Sequence, residues 1–391
     1  MNGDFVTDIR EEARDGFERI FGYPPHGLWS APGALRLIGD HTDYAEGHTL
    51  TVTIDRRVVV ALGVTKESRI RVASPHAGEI AEIPLTELDE EELSGWPSYP
   101  LGVAWALGRL GVDLEAVPGV DMYVESTVPE GVGLGSSAAL TAAVALALSD
   151  AWQVGSDKMM LARACALAEG RATGEEVGIG PAIAALSAEP DSAVLIDERS
   201  KDVDQIRLGF DDGDVSLLFI MCEDEPVALP PLRERLAALE EVADRLDAGS
   251  IRNVKLSDLQ ALTPDDHLSE GTLARARHTA EENARVLQTV QKLREEGPDS
   301  LAPIFADSHE SVTRAHRLGN PSVHLAVSTA LEHGAFAARL LGHRSTGTVV
   351  AICPDGSVSR IIQALDGAFS EHALDIPDTV VCRVGDKALR H

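Results

Sequence analysis

The segment that constrains this chain most is a glycine-rich run at residues 128–140, Val-Pro-Glu-Gly-Val-Gly-Leu-Gly-Ser-Ser-Ala-Ala-Leu, which a small apolar run follows at once. Gly131, Gly133 and Gly135 permit a backbone with positive φ, in which consecutive N–H groups converge on an anion. The two serines lie where a helix would begin, and the free N–H groups of a helix start favour phosphate. The pattern predicts a phosphate-binding loop, although an ordinary glycine turn capped by serine has the same spacing.

This loop supplies the predicted nucleotide contacts, which are Gly131, Gly133, Leu134, Gly135, Ser136, Ser137 and Ala138. The hydroxyl of Ser136 is also predicted to contact a phosphate-bound Mg²⁺, because this ion prefers oxygen ligands and keeps several of its waters. The loop differs from a Walker P-loop, since no Gly-Lys-Ser or Gly-Lys-Thr follows the glycines.

Composition limits the classes of protein that need to be considered. The 391 residues are sufficient for two domains of ordinary size, and a hydrophobic content of 44% supplies a core for each. A formal net charge of -29 predicts a surface that repels nucleic acid and anionic membranes, so neither is expected as a partner. The four cysteines are far apart, which indicates neither a zinc site nor a disulfide framework. Without a transmembrane-length apolar run or a leader pattern at the N-terminus, we expect a cytoplasmic protein.

Hydrophobic periodicity predicts a mixture of helices and strands. The expected strands are 27–38, 49–64, 119–126, 193–197, 215–220, 347–353 and 379–383, and the expected helices are 8–21, 96–110, 141–152, 157–169, 230–246, 272–296, 301–318, 322–334 and 357–369. The segment 49–64 is rich in Val, Ile and Thr and fits one strand or two. We place a domain boundary near residue 205, with no long linker.

A second polar group follows the strand predicted at 27–38. Asp40, His41 and Asp43 lie in a loop just past the strand end, where functional sites are common. Two carboxylates and an imidazole can form hydrogen bonds with the hydroxyl groups of a polar ligand such as a sugar. An Asx-rich turn beside a core histidine explains the same residues, so this segment alone leaves both interpretations open.

Several segments resemble one family of small-molecule kinases. Residues 37–44, Leu-Ile-Gly-Asp-His-Thr-Asp-Tyr, resemble the sugar signature of galactokinases, Gly-Arg-x-Asn-Leu-Ile-Gly-Glu-His-x-Asp-Tyr, and residues 129–138 resemble the nucleotide loop of the GHMP kinases. Residues 275–285 resemble the galactokinase helix Arg-Ala-x-His-x-x-x-Glu, residues 308–312 its Ser-His-x-Ser-Leu element and residues 195–200 its Leu-Ile-Asp-Cys-Arg-Ser segment. Taken in order, these segments cover nearly the whole chain, which is identified as a member of the galactokinase family.

The resemblance implies an α+β, two-domain GHMP kinase fold with its ligands in the cleft between the domains. Residues 1–205 would form an S5 domain 2-like N-terminal domain with the sugar signature and the nucleotide loop, and residues 206–391 a ferredoxin-like C-terminal domain. It implies ATP and Mg²⁺ as cofactors, a galactose-like sugar or related polyol as substrate, and a monomer or homodimer. The residues that it places at the sugar are Asp40, His41, Asp43 and Gly178.

Both catalytic positions depart from the family pattern. The family's catalytic aspartate lies in Gly-Ile-Met-Asp-Gln, but residues 178–182 read Gly-Ile-Gly-Pro-Ala, which puts Pro181 at the aspartate position. Proline cannot accept a proton, although it suits the first position of a helix. The signature arginine falls on Ala34, and Arg36 occupies the usual asparagine position. Because alternate strand residues share a face, Arg36 is a candidate replacement about 7 Å along the strand, although a surface or domain-contact arginine fits at least as well.

Other segments near these positions offer partial substitutes. Glu175 and Glu176, just before the lost aspartate, are the nearest candidates for a replacement base. The family's later Gly-x-Gly-x-Gly-Gly motif reads Gly-His-Arg-Ser-Thr-Gly at residues 342–347, so two internal glycines are lost. His343 or Arg344 remains as a side-chain contact for the nucleotide phosphates.

Two functions are compatible with these substitutions. The first is an ATP- and Mg²⁺-dependent sugar kinase with altered catalytic groups, supported by the intact glycine loop and the sugar signature. The second is a catalytically impaired relative that binds sugar and nucleotide as a sensor or regulatory protein, supported by the loss of both catalytic groups. A general base contributes ~10²–10⁴-fold to a rate, so its loss need not abolish turnover.

Overall fold

The computed structural model describes residues 2–75, 78–90, 93–155, 157–222, 229–264, 268–342 and 347–391, with side chains from Ile9 onward. The helices in these ranges are α1 (Asn2–Phe21), α2 (Ser98–Arg109), α3 (Ser136–Trp152), α4 (Lys158–Thr173), α5 (Gly180–Ser187), α6 (Leu232–Arg245), α7 (Leu256–Ala261), α8 (Glu270–Glu295), α9 (Ala302–His316), α10 (Pro321–Glu332) and α11 (Asp355–Glu371). The strands are β1 (Gly27–Ile38), β2 (His48–Thr65), β3 (Arg69–Ala73), β4 (Ala81–Pro84), β5 (Gly119–Ser126), β6 (Ser192–Asp197), β7 (Val203–Arg207), β8 (Val215–Met221), β9 (Ala337–Leu340), β10 (Thr348–Pro354), β11 (Asp378–Cys382) and β12 (Leu389–Arg390).

The first sheet carries the strand that leads into the sugar signature. Its order is β12-β1-β2-β5-β3-β4, and β6 and β7 extend it beside β2. Residues 48–52 of β2 pair with β6, whereas residues 58–65 pair with β5. The segment for which the sequence allowed one strand or two is therefore one long strand that serves two neighbours on the same side.

The second sheet has the order β11-β8-β10-β9 and is antiparallel throughout. Numbered along the chain, its strands lie in the order 4-1-3-2. Helices α6 to α10 connect the first two of these strands, and α11 connects the last two. This is the βαββαβ arrangement of ferredoxin-like domains, as expected for the C-terminal half.

The chain passes from the first sheet to the second between β7, which ends at Arg207, and β8, which begins at Val215. Later, β12 returns to the first sheet, where Arg390 pairs with Trp29 of β1. The division of the chain at residue 205 stays a prediction, because the last strand crosses back over that boundary.

Helices α3 and α5 cover the face of the first sheet that carries the site. The apolar residues of α3 are mostly alanines, including the fully buried Ala139, Ala142 and Ala143, and their small side chains let the helix pack close to β1. Helix α8, from the second half of the chain, adds Val286 and Val290 to the same core. No helix within the described ranges is long and apolar enough to cross a bilayer.

The long elements agree with the sequence predictions, and the differences lie at their ends. The helix predicted from residue 141 begins at Ser136, so both serines occupy its first turn, as the phosphate-loop prediction required. Strands β3, β4, β7, β9 and β12 were not predicted, because strands of two to five residues give too short a pattern.

Candidate active site

One cleft contains most of the residues that the sequence singles out. Its cavity volume is about 230 Å³. Its lining includes Ala34, Arg36, Asp40, Tyr99, Gly131, Gly133, Gly135, Ser136, Ser137, Ala138, Glu169, Val177 and Pro181. The fold therefore brings the glycine loop, the end of β1 and both substituted catalytic positions to one place.

The glycine loop has the backbone conformation that its sequence predicts. The φ angles of Gly131, Gly133 and Gly135 are 76°, 81° and 75°. Leu134 is fully buried and anchors the loop in the core. The hydroxyl of Thr348, in the second sheet, donates a hydrogen bond of 2.8 Å to the carbonyl oxygen of Val132. The loop is thus held by both halves of the molecule.

Two of these glycines have different surroundings. A Cβ atom at Gly131 would meet nothing within 4 Å, so open space lies beside it. A Cβ atom at Gly135 would lie 2.0 Å from the carbonyl oxygen of Ala34. Gly135 is therefore required for the contact between the loop and β1, whereas Gly131 leaves room for a ligand.

Helix α3 begins directly at the cleft. Gly135 is its N-cap residue, and no side chain caps the helix. The described first turn contains no acidic residue, and its residues line the cleft. Because the first N–H groups of a helix have no intrahelical partner, this end of α3 offers hydrogen-bond donors and a positive potential to a phosphate.

A buried carboxylate lies beside the start of α3. The hydroxyl of Ser137 donates a hydrogen bond of 2.7 Å to Oε2 of Glu169, which lies in α4 and is only 5% exposed. A hydroxyl and a carboxylate are the oxygen donors that Mg²⁺ prefers, and the ion usually takes one or two carboxylates together with substrate phosphates. The pair therefore fits this ion. Ser136, the residue predicted to contact the ion, lines the same cleft, but the carboxylate lies against Ser137.

A second cavity of about 370 Å³ adjoins the cleft and shares Tyr99, Gly131, Ser136 and Ser137 with it. Apolar side chains form much of its wall, and they include Val58, Trp96, Val124 and Leu140. A flat aromatic ligand such as a purine base suits a cavity with aromatic and aliphatic walls.

Arg36 provides a guanidinium group on the other side of the glycine loop. Its side chain is 3% exposed, and it donates a hydrogen bond of 2.6 Å to Oδ2 of Asp43. Ala34 and Arg36 pair with Thr53 and Thr51 of β2 and both line the cleft. The alternative of a surface arginine is therefore wrong, because the side chain is buried beside the position of the family's arginine.

The turn before α5 closes the cleft beside this ion pair. Pro181 lies in the first turn of α5, as expected for a helix-starting proline, and lines the cleft. A Cβ atom at Gly178 would lie 3.2 Å from Oδ2 of Asp43 and 3.6 Å from a terminal nitrogen of Arg36. Gly178 thus packs against the side chain of a predicted sugar-binding residue.

Neither predicted replacement carboxylate lines this part of the cleft. Glu175 and Glu176 are exposed on the turn between α4 and α5, whereas Val177 and Pro181 line the cleft. Their role as a base stays a prediction that their exposure does not favour. His343 and Arg344, the predicted phosphate contacts from the altered third glycine motif, lie outside the described residues.

Asp40 lines the cleft although it is only 1% exposed. Its Oδ2 accepts a hydrogen bond of 2.9 Å from the backbone N–H of Gly342 and another from Arg339. Its Oδ1 has no hydrogen-bond partner among the described residues. A buried acceptor that has no partner and belongs to a residue of the cleft wall is suited to a ligand hydroxyl.

His41 is fully buried and has a φ of 65°. Its Nε2–H donates a hydrogen bond of 3.0 Å to the carbonyl oxygen of Gly342, and its ring stacks on His316 with 3.7 Å between ring centroids. His41 is not among the described residues that line the cleft. A direct contact between His41 and a sugar stays a prediction.

Helices α8 and α9 hold the signature loop from behind. Glu282 accepts hydrogen bonds from the N–H of Gly39 (3.1 Å) and from the hydroxyl of Ser308 (2.8 Å). His278 donates a hydrogen bond of 3.0 Å through Nε2 to the carbonyl oxygen of Asp40. The segments that resemble the galactokinase helix and its Ser-His element therefore support the loop that carries the sugar signature.

The carboxylate of Glu282 is stabilised in its charged form. Burial alone would raise its pKa, but Arg339, His278 and Arg285 outweigh that effect and lower the pKa to about 2. Arg285 donates a hydrogen bond of 2.7 Å to Oε2 of Glu282. The loop is therefore anchored on an ionised group.

Two family models match parts of the chain that contribute to this cleft. The model of the GHMP kinases N-terminal domain matches residues 98–189, which contain the glycine loop. The galactokinase galactose-binding signature matches residues 15–64, which contain Arg36 and Asp40. Galactokinase of Streptomyces coelicolor is 30% identical over 92% of this chain and 93% of its own length.

The chain belongs to the galactokinase family. Galactokinase of Mycobacterium tuberculosis, another member, is 32% identical over 90% of this chain and 92% of its own length. Among solved structures, Lactococcus lactis galactokinase complexed with galactose matches with a TM-score of 0.86 and 21% identity, over 96% of this chain and 98% of that chain. A mevalonate kinase matches with a TM-score of 0.66 and 15% identity, over 91% of this chain and 98% of that chain. The predicted α+β GHMP kinase fold is confirmed.

Sequence reasoning missed three residues that shape the site of this galactokinase-family chain. Glu169 ends a predicted helix that is otherwise largely apolar, and a lone acid on such a helix is the signal that could have identified it. Glu282 and Arg339 bond to residues 243 and 299 positions away in the sequence. No local pattern identifies partners at that separation.

Proposed function

We propose that this protein is an ATP- and Mg²⁺-dependent sugar kinase that phosphorylates a galactose-like sugar or a related polyol. The observation that carries the proposal is the single cleft that joins the glycine loop and the start of α3 to Arg36 and Asp40. Membership of the galactokinase family supports the same reaction.

The nucleotide has a distinct place on one side of this cleft. The cavity beside Trp96 accommodates the adenine base, and Gly131, Ser136 and Ser137 connect it to the cleft. The phosphates then lie at the start of α3, where backbone N–H groups and the helix dipole offset their charge. Glu169 and Ser137 would hold Mg²⁺, and the ion would neutralise phosphate charge during transfer.

The sugar lies on the other side, between β1 and the turn before α5. Asp40 accepts a hydroxyl hydrogen bond through Oδ1, and the Arg36–Asp43 pair lies beside it. The Lactococcus lactis relative, which shares the fold, was solved with galactose. We therefore place a galactose-like sugar in this chain, with Gly178 leaving space for the Arg36–Asp43 pair.

Transfer relies on positioning and on charge, because Pro181 and Ala34 supply neither a base nor a cation. Phosphoryl transfer has a loose transition state in which a cation near the transferred group is favourable. Arg36 is the buried guanidinium of the described residues at this cleft. We assign to it the charge stabilisation that the family's arginine provides from the position of Ala34.

The test is a ligand screen followed by an assay of turnover. Thermal unfolding is measured with galactose, its 2-amino and 6-deoxy analogues, glucose and galactitol, each with and without Mg-ATP. Every ligand that raises the melting temperature is then assayed for ADP release, with sugar-free reactions as the control for ATP hydrolysis. Sugar-dependent ADP release supports the kinase. Binding of sugar and nucleotide without ADP release would contradict it and favour the sensor.

A further inference from the structure

Glu198 is a buried acid beside the position from which the family's catalytic aspartate is lost. It follows β6 directly, and its backbone N–H donates a hydrogen bond of 2.9 Å to the carbonyl oxygen of Gly47. Its side chain is 1% exposed. In the segment Leu-Ile-Asp-Cys-Arg-Ser that residues 195–200 resemble, the family has cysteine at this position, so the acid is a property of this chain.

Its carboxylate lies against the first residue of α5. A Cβ atom at Gly180 would lie 3.6 Å from Oε1 of Glu198 and 3.7 Å from Oγ1 of Thr49. The missing side chain of Gly180 therefore leaves a methyl-sized space, which Cδ1 of Ile196 borders at 3.5 Å together with these two buried oxygens. The next residue of α5 is Pro181, which lines the cleft.

Only one of the two carboxylate oxygens of Glu198 has a hydrogen-bond partner among the described residues. Oε2 accepts a hydrogen bond of 2.7 Å from Nζ of Lys201. Oε1 has no hydrogen-bond partner among the described residues, and the same holds for Oγ1 of both Thr49 and Thr51 on the neighbouring strand. A buried polar atom without a partner is costly to the fold, so three such atoms close together indicate a function or a bridging water.

The electrostatic environment couples Glu198 to the sugar side of the cleft. Burial raises its pKa, Lys201 lowers it, and the charges of Asp43 and Arg36 act on it in opposite directions. Among the described carboxylates near the cleft, Asp40, Asp43 and Glu169 already accept hydrogen bonds from Arg339, Arg36 and Ser137. Oδ1 of Asp40 and Oε1 of Glu198 both have no hydrogen-bond partner among the described residues. Because Asp40 is assigned to a sugar hydroxyl, Glu198 is the acid of this group that has an unpartnered oxygen and no assigned role.

We propose that Glu198 accepts the proton in the phosphoryl transfer, in place of the aspartate that Pro181 replaces. The sugar hydroxyl oxygen attacks the γ-phosphorus of ATP, the new O–P bond forms, and the bond from that phosphorus to the β,γ-bridging oxygen breaks to release ADP. The hydroxyl proton passes through one water, held by Oγ1 of Thr49, to Oε1 of Glu198. The carboxyl group then returns the proton to solvent. This step rests on the proposed kinase function.

The experiment compares Glu198→Gln with the wild type, using the sugar and Mg-ATP identified by the screen. Glutamine retains an acceptor for Lys201, so the fold and nucleotide binding are expected to remain. We expect kcat to fall by ~10²–10⁴-fold. The acidic limb of kcat/KM against pH is expected to disappear, because a proton acceptor works only above its own pKa. Glu189→Gln, an exposed acid just after α5, is the matched control and is expected to leave the rate unchanged.

A second variant, Lys201→Met, is read out by the position of the acidic limb of the pH profile, which would not move if Glu198 had only a structural role. Lys201→Met removes the cation that lowers the pKa of Glu198, so the acidic limb is expected to move to higher pH while remaining present. If Glu198→Gln retains the wild-type rate and acidic limb, or if Lys201→Met leaves the limb in place, Glu198 is not the acceptor and the kinase assignment stands. If the wild type releases no ADP with any sugar of the panel, both proposals are overturned.

Discussion

The phosphate-binding part of the nucleotide side is formed by consecutive residues, 131–138, whereas the sugar side is assembled from segments that are distant in the sequence. On the first side, backbone atoms of one loop and one helix start provide the donors. On the second side, Asp40 is held by Arg339 of β9 and by Gly342. The glycine loop of residues 129–138 keeps the family pattern, whereas both catalytic positions, Ala34 and Pro181, depart from it. Phosphate binding depends on backbone geometry. The base and the cation that act in phosphoryl transfer are single side chains, which one substitution each can remove.

Gly135→Val is expected to have the largest effect, because it tests the packing on which the nucleotide side depends. Its Cβ atom would collide with the backbone of Ala34, and its φ of 75° is strained for any residue with a side chain. We expect a loss of more than about 3 kcal/mol in the free energy of unfolding, measured by urea denaturation. Gly131→Ala is the control, with a loss of only about 1–2 kcal/mol from the same backbone strain. Equal losses in the two variants would contradict the packing role of Gly135.

Low pH is expected to reduce the stability of the sugar side of the cleft, because it protonates Glu282. Its folded pKa is lowered from 4.5 to about 2. The stability it contributes is therefore present above pH 4.5 and is lost as the pH falls from there toward 2. Two and a half pKa units correspond to about 3 kcal/mol, measurable from urea midpoints between pH 5 and 2. Glu282→Gln should flatten this pH dependence, and an unchanged slope in the variant would assign the acid sensitivity to other groups.

Asp43→Ala tests whether the sugar side and the nucleotide side of the cleft bind their ligands independently. Removal of this acceptor is expected to weaken sugar binding by about 1–3 kcal/mol, the cost of an unpaired buried polar group, and to leave Mg-ATP binding unchanged. Calorimetric titration with each ligand measures both effects. Glu46→Ala, which changes an exposed acid on the same turn, should alter neither. A loss of nucleotide affinity in Asp43→Ala would show that the two sides are not independent.

Ala34→Arg combined with Pro181→Asp is expected to have the smallest effect, because the fold must accommodate both restored groups. We expect turnover to rise about tenfold, which corresponds to about 1.4 kcal/mol in the activation free energy. Because the base and the cation act together, the double variant should exceed the sum of the single variants in log rate. A double variant slower than the wild type would show that this chain uses a different geometry for transfer.

The sequence was informative where a structure is made by neighbouring residues. The glycine loop, its positive φ angles and the proline-started α5 follow from local patterns, and the structure confirms each of them. The surroundings of the signature were not predictable, because Glu282 and Arg339 reach it from far along the chain. Glu198 was missed for a different reason. A single acid at a strand end has no periodicity, and only the gap at Gly180 shows what it faces.

The bonds from Glu282 and Arg339 to the signature loop also bear on the order in which this protein folds. The glycine loop and α3 are contiguous, so they can form early from contacts of short sequence separation. The signature loop needs partners 243 and 299 residues away, and closing such long loops slows folding. During synthesis, the glycine loop and α3 are therefore made before β9 supplies Arg339 to the sugar side, and Thr348 of β10 reaches the loop later still. We expect a nascent chain in which α3 has formed while neither ligand side is complete.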